Sequence, residues 1–66
     1  MLDVEKEFQV CYLARDGHVV RSTWFSTFRS AWRRADFWKY DCLPREGIDG
    51  AEVRDRDGHR VAVFTM

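Results

Sequence analysis

The chain predicts an α+β fold of order strand–strand–helix–strand–strand (ββαββ), and three observations carry that prediction. Two Asp-Gly pairs, Asp16-Gly17 and Asp57-Gly58, each lie between runs of alternating β-branched and aromatic residues. Residues 26–42, between the hairpins, hold no Gly, no Pro and no β-branched residue after Thr27, and space their apolar residues as a helix does. An antiparallel sheet of two hairpins with one helix packed on one face buries the apolar surfaces of both. With 66 residues there is one core and one domain, spanning 1–66, and no room for a substrate domain.

The first hairpin joins "EFQVCYLA" (7–14) to "HVVRSTWF" (18–25). A two-residue type I′ turn at Asp16-Gly17, with positive φ at both positions, pairs Cys11 with Ser22. On that register Phe8, Val10, Tyr12, Ala14 and Val19 share one face, and Cys11, Leu13, Val20 and Trp24 share the other. The first set is predicted to face the core. The second then forms an exposed apolar strip, a hint of a partner surface.

For the helix, "STFRSAWRRADFWKYDC" (26–42), Ser26 is the expected N-cap. At about 100° per residue, Phe28, Ala31, Trp32, Ala35, Trp38 and Cys42 fall in one arc of roughly 120°, the predicted core face. Pro44 ends the helix by disfavouring helical geometry at Leu43, and "LPREGIDG" (43–50) reads as a loop. The second hairpin joins 51–55 to 60–66. Ala51, Val53, Ala62 and Phe64 are predicted inward, and Glu52, Arg54, Val61 and Val63 outward.

The four residues Arg-Asp-Gly-His occur at 15–18 and again at 56–59. The hairpin context makes them one turn solution used twice rather than a chemical motif. Cys11 stands seven residues from His18 along a strand, about 23 Å at roughly 3.3 Å per residue, too far for a shared metal or a nucleophile–base pair. The Cys and His spacings match no zinc pattern, although spacing leaves Cys42 with His59 open. No metal and no cofactor is expected.

Nor does catalysis find support. Ser22, Ser26 and Ser30 lack a Gly-rich elbow, there is no phosphate-cradling loop, and Asp55 and Asp57 lie among arginines on a charged hairpin. No apolar run approaches a membrane span or a signal segment, and two cysteines suit a reducing cytoplasm, so a cytoplasmic protein is expected.

Formal net charge is zero, which argues neither for bulk polyanion binding nor for DNA mimicry, but the charge is unevenly spread. Arg21, Arg29, Arg33, Arg34, Lys39 and Arg45 face only Asp36 and Asp41 within residues 21–45. On the helical wheel Arg29, Arg33 and Tyr40 lie on one flank of the outer face, Phe37 is opposite Phe28, and Arg34 lies beyond it. Arginine carries a flat fork suited to phosphate, carboxylate or aromatic rings, and arginine with aromatics is the composition of binding hot spots. Arg29, Arg33, Arg34, Phe37, Lys39 and Tyr40 are therefore the candidate binding residues. The plainer alternative is a solvated basic face with Phe37 and Tyr40 folded over the helix end to cap the core.

In "STWFSTFRSAWRRAD" followed by "GAEVRDRDGHRVAVF", about residues 20–64, the chain resembles the ββαββ type I-F anti-CRISPR proteins of phages and mobile elements. It departs from them in its many tryptophans and its lack of lysine bias. The resemblance implies a non-enzymatic inhibitor that presses a basic helix onto a guide-RNA surveillance complex of a bacterial host and blocks target DNA. Arg29, Arg33, Arg34 and Lys39 would be its contact residues. A small nucleic-acid-binding or regulatory domain is the other reading. The neutral net charge favours a protein or ribonucleoprotein partner over direct contact with nucleic acid. Unpaired strand edges leave a homodimer open.

Overall fold

Both Arg-Asp-Gly-His segments form turns, but not the turn their Asp-Gly pairs predict. In the computed structural model, which describes residues 6–42 and 46–65, positive φ occurs at Gly17 (95°) and Gly58 (89°) and at no residue other than glycine. A type I′ turn is thereby ruled out. Gly17 N–H donates to Ala14 O at 2.9 Å and Ala14 N–H to His18 O at 2.9 Å; Gly58 N–H donates to Asp55 O at 3.0 Å and Asp55 N–H to His59 O at 2.9 Å. Each is a three-residue loop ending in a left-handed glycine.

Six elements follow one another: β1 (Phe8–Ala14), β2 (Val19–Phe25), α1 (Phe28–Asp36), α2 (Trp38–Asp41), β3 (Ile48–Arg54) and β4 (Arg60–Thr65). The strands form one antiparallel sheet in the order β2-β1-β3-β4, with the helical layer on one face. The α+β ββαββ architecture is as predicted. β3 starts three residues earlier than expected, taking Ile48, Asp49 and Gly50 from the expected loop. Leu43, Pro44 and Arg45 lie outside the described residues, and with them the expected stop at Pro44. No helix among the described residues is long and apolar enough to cross a membrane.

Cys11 does pair with Ser22, despite the longer turn. β2 passes Val20 without a partner between Arg21, opposite Tyr12, and Val19, opposite Leu13; the skipped residue cancels the extra loop residue. β4 repeats the device at Val61, between Ala62, opposite Val53, and Arg60, opposite Arg54. Val10, Tyr12, Ala51 and Val53 face the helix and are fully buried, as predicted. Val19 is the exception: the skipped residue puts it opposite Leu13 on the far face, where it is exposed.

The helical segment differs from the predicted single helix in three respects. Thr27, not Ser26, is the N-cap; its Oγ1 accepts from Ser30 N–H at 3.2 Å. The helix breaks at Phe37 (φ −90°, ψ 12°), whose N–H is shared between Arg33 O and Arg34 O at 3.3 and 3.2 Å. The seat on the sheet is also rotated. Ala31 and Ala35 meet it and are fully buried, followed by Trp38, while Phe28 and Trp32 are each 41% exposed. Two alanines let the backbone approach closely, and the large rings then pack along the rims. Phe28 meets Phe8 edge-on at 5.6 Å, and Trp32 meets Phe64 at 5.3 Å.

The open face of the sheet holds one unexpected group. Glu52, predicted outward, is only 4% exposed, because it sits mid-sheet opposite Cys11 and Val63. Arg54 Nε pairs with its Oε2, and Arg60 Nη1 lies 3.6 Å from its Oε1. A buried carboxylate needs such partners. Beside it, burial raises the Cys11 thiol above its ordinary value, against the pull of Arg54, so the thiol stays protonated at neutral pH.

Candidate functional site

The six predicted binding residues are all exposed, and the break at Phe37 sorts them into two groups. Arg29 and Arg33 stand on the outer side of α1 and, with Lys39 on α2, make no ion pair among the described residues. Phe37 and Tyr40 are 52% and 82% exposed, so they do not cap the core. Trp38 does that, buried between them in sequence. The Phe37 and Tyr40 rings lean on each other, centroids 5.7 Å apart at 54°.

Phe37 lies between two hollows. On one side a hollow of about 620 Å³ is lined by Asp36, Phe37, Trp38, Lys39 and Tyr40 against Val63, Phe64 and Thr65 at the end of β4. On the other, a crevice of about 400 Å³ is lined by Phe25, Ser30, Arg33, Arg34, Phe37 and Asp41. Arg29 lines neither. Arg34 departs from its predicted place beyond Phe37. Its Nη1 donates to Asp41 Oδ2, at the end of α2, at 3.0 Å, and that bond holds its guanidinium above the ordinary arginine value.

A third depression of about 430 Å³ joins the crevice through Phe25, Arg34 and Asp41, and adds Tyr12, Arg21 and Thr23. Sequence reasoning missed this part. Strand parity carried the signal: with Cys11 opposite Ser22, residues 21, 23 and 25 fall on the helix side with Tyr12. Arg21 lies over the Tyr12 ring, 4.5 Å from its centroid. Its Nε donates to Glu46 Oε1 at 3.2 Å, and its Nη2 lies 3.4 Å from Asp41 O and 3.7 Å from Cys42 Sγ.

At the second turn the ligand atoms of Asp55, Asp57 and His59 lie within 4.8 Å of one another; Cys42 is not among them. Asp55 Oδ1 already accepts the backbone N–H groups of Asp57 and His59, both at 2.9 Å, which is a turn-holding role. At the first turn Asp16 does the same for His18 N–H at 3.0 Å. Cys11 sits mid-strand, away from His18 at the turn. Comparison with known protein families, curated proteins and solved structures finds no match for the chain.

Proposed function

We propose that this is a non-catalytic binding protein that docks the helical face around Phe37 on a protein or ribonucleoprotein complex. The observation that carries this reading is the outer helical face, where Arg29, Arg33 and Lys39 make no ion pair among the described residues and Phe37 and Tyr40 expose two rings that lean on each other. Unpaired cations recognise an acidic partner surface without first breaking an internal pair, and rigid rings supply contact area at low entropic cost. The resemblance to type I-F anti-CRISPR proteins supplies the partner class: a nucleic-acid-processing complex in a bacterial cytoplasm, inhibited by blocking target DNA. The second reading, a small nucleic-acid-binding domain, draws on the arginine-lined crevice between β2 and α1.

Arg33→Glu and Phe37→Ala test the docking surface. Both side chains are exposed, so the fold survives, with a stability loss for Phe37→Ala of about 1 kcal/mol from its half-buried ring. Capture of a partner from bacterial lysate, with nuclease present, is lost in both variants, and Phe37→Ala weakens affinity by about 2 kcal/mol or more. Undiminished capture by both refutes the assignment. Capture that vanishes with nuclease in the unaltered protein shifts the reading to nucleic acid.

A further inference from the structure

Tyr12 is 1% exposed, on the inner face of the central strand β1, yet none of the hydrogen bonds among the described residues uses its hydroxyl. No side-chain nitrogen or oxygen among them is both sealed from solvent and without a partner. The Tyr12 hydroxyl therefore opens on the depression that Tyr12 lines together with Arg21, Thr23, Arg34 and Asp41. Burial, and next the charge of Asp41, push the Tyr12 phenol above its ordinary value, so at neutral pH it is a hydrogen-bond donor.

Two guanidinium groups border the same space from opposite layers, Arg21 from the sheet and Arg34 from α1. Each is held by one carboxylate, Glu46 at 3.2 Å and Asp41 at 3.0 Å, and each keeps N–H donors unspent. Arg21 uses Nε and Nη2, and Arg34 uses only Nη1. Each carboxylate holds its guanidinium in place while the unspent donors face the depression. Glu46 and Asp41 thus act as positioning residues that aim the two forks. Two oxygens of a phosphate accept from an arginine fork through two parallel bonds, which a carboxylate held by a single Nη1 does not match.

We propose that this crevice is a phosphate-binding site, which takes the phosphate group of a nucleotide or of a nucleic-acid strand between Arg21 and Arg34, with the Tyr12 hydroxyl as a third donor. The adjoining space, lined by Phe25, Ser30 and Phe37, offers two rings and a hydroxyl to the attached base. The site shares Arg34 and Phe37 with the docking surface, but its defining residues, Tyr12 and Arg21, take no part in docking. Each assignment can fail while the other stands.

The test is a titration of the isotopically labelled full chain followed by NMR, with inorganic phosphate, thymidine monophosphate and a short oligothymidylate as three separate probes. The Arg21 and Arg34 Nε–H signals shift and saturate with phosphate. Tyr12→Phe keeps the ring and the fold and weakens phosphate binding about fivefold, the worth of one hydrogen bond. Arg21→Gln weakens it about tenfold or more, and Arg21→Lys, which keeps the charge without the fork, falls between. Arg15→Gln, exposed at the first turn and outside the crevice, leaves it unchanged. Tighter, more salt-sensitive binding of the oligothymidylate than of the mononucleotide assigns the site to a strand; equal binding assigns it to a single nucleotide. The proposal is overturned if none of the probes shifts Arg21 and Arg34, or if Tyr12→Phe and Arg21→Gln bind phosphate as the parent does.

Discussion

Gly50 is the position where one added carbon has the most calculable effect. It lies in the inner strand β3, between Leu13 of β1 and Thr65 of β4. A Cβ built there stands 2.8 Å from the backbone oxygen of Phe64 and 3.2 Å from Thr65 Cγ2. The nearer atom is main chain, so no rotamer change relieves it, and the end of β4 must move. Overpacking of this kind costs about 1–3 kcal/mol. Against it, alanine lowers the entropy of the unfolded chain, a gain of about 0.4–1 kcal/mol. The difference leaves Gly50→Ala destabilised by about 1–2 kcal/mol, and in a domain this small the melting temperature falls by roughly 5–15 °C. The shift also reaches the helix, since Phe64 packs on Trp32. Thermal unfolding followed by circular dichroism, with near-ultraviolet bands for the tryptophan environment, measures both. An alanine variant that melts at or above the parent temperature refutes the argument, because β4 would then yield at no cost.

Three further outcomes are expected. Gly17→Val and Gly58→Val each destabilise by about 1–3 kcal/mol, because a β-branched residue resists positive φ, whereas His18→Gln and His59→Gln change chemical denaturation midpoints little. Glu52→Ala costs about 2–3 kcal/mol in urea unfolding, and Glu52→Gln less, since Arg54 and Arg60 lose their buried counter-charge but reach solvent. The Asp55 carboxyl is held below its ordinary value of 3.8, chiefly by the His59 backbone N–H. Its contribution is therefore full above that value and is lost as pH falls through the lower folded value. The melting temperature of Asp55→Asn consequently depends less on pH in the acid range than that of the parent.

The two-layer fold was legible because period-2 patterns give way to a period-3.6 pattern and return along the chain, although both faces of the first hairpin are apolar enough for burial. Turn type was not, since Asp-Gly serves both a type I′ turn and the three-residue loop found here. The bonds that decide, Ala14 to His18 and Asp55 to His59, lie outside the dipeptide. Skipping Val20 and Val61 concealed the error everywhere except at Val19. The helix seat was misjudged because a wheel weights large residues, whereas close approach to a sheet favours small ones, here Ala31 and Ala35. Exposure of Phe37 and Tyr40 followed from the wheel. Arg34 turning to Asp41 did not, because it depends on the break at Phe37. Arg21 was counted as charge in a segment, when its strand parity already placed it under the helix with Tyr12.

The unpartnered Val20 and Val61 have a consequence for assembly. Both lie in the outermost strands, β2 and β4, so each margin of the sheet carries an interruption one residue beyond the turn-proximal pair. An incoming strand, from a second copy or from a partner, would match the regular stretch of either margin and then fall out of step with the backbone donors and acceptors. Growth of the sheet from protein to protein is disfavoured at both sides by the device that also corrects the register within. Contacts with other molecules then fall to side chains rather than to strand pairing.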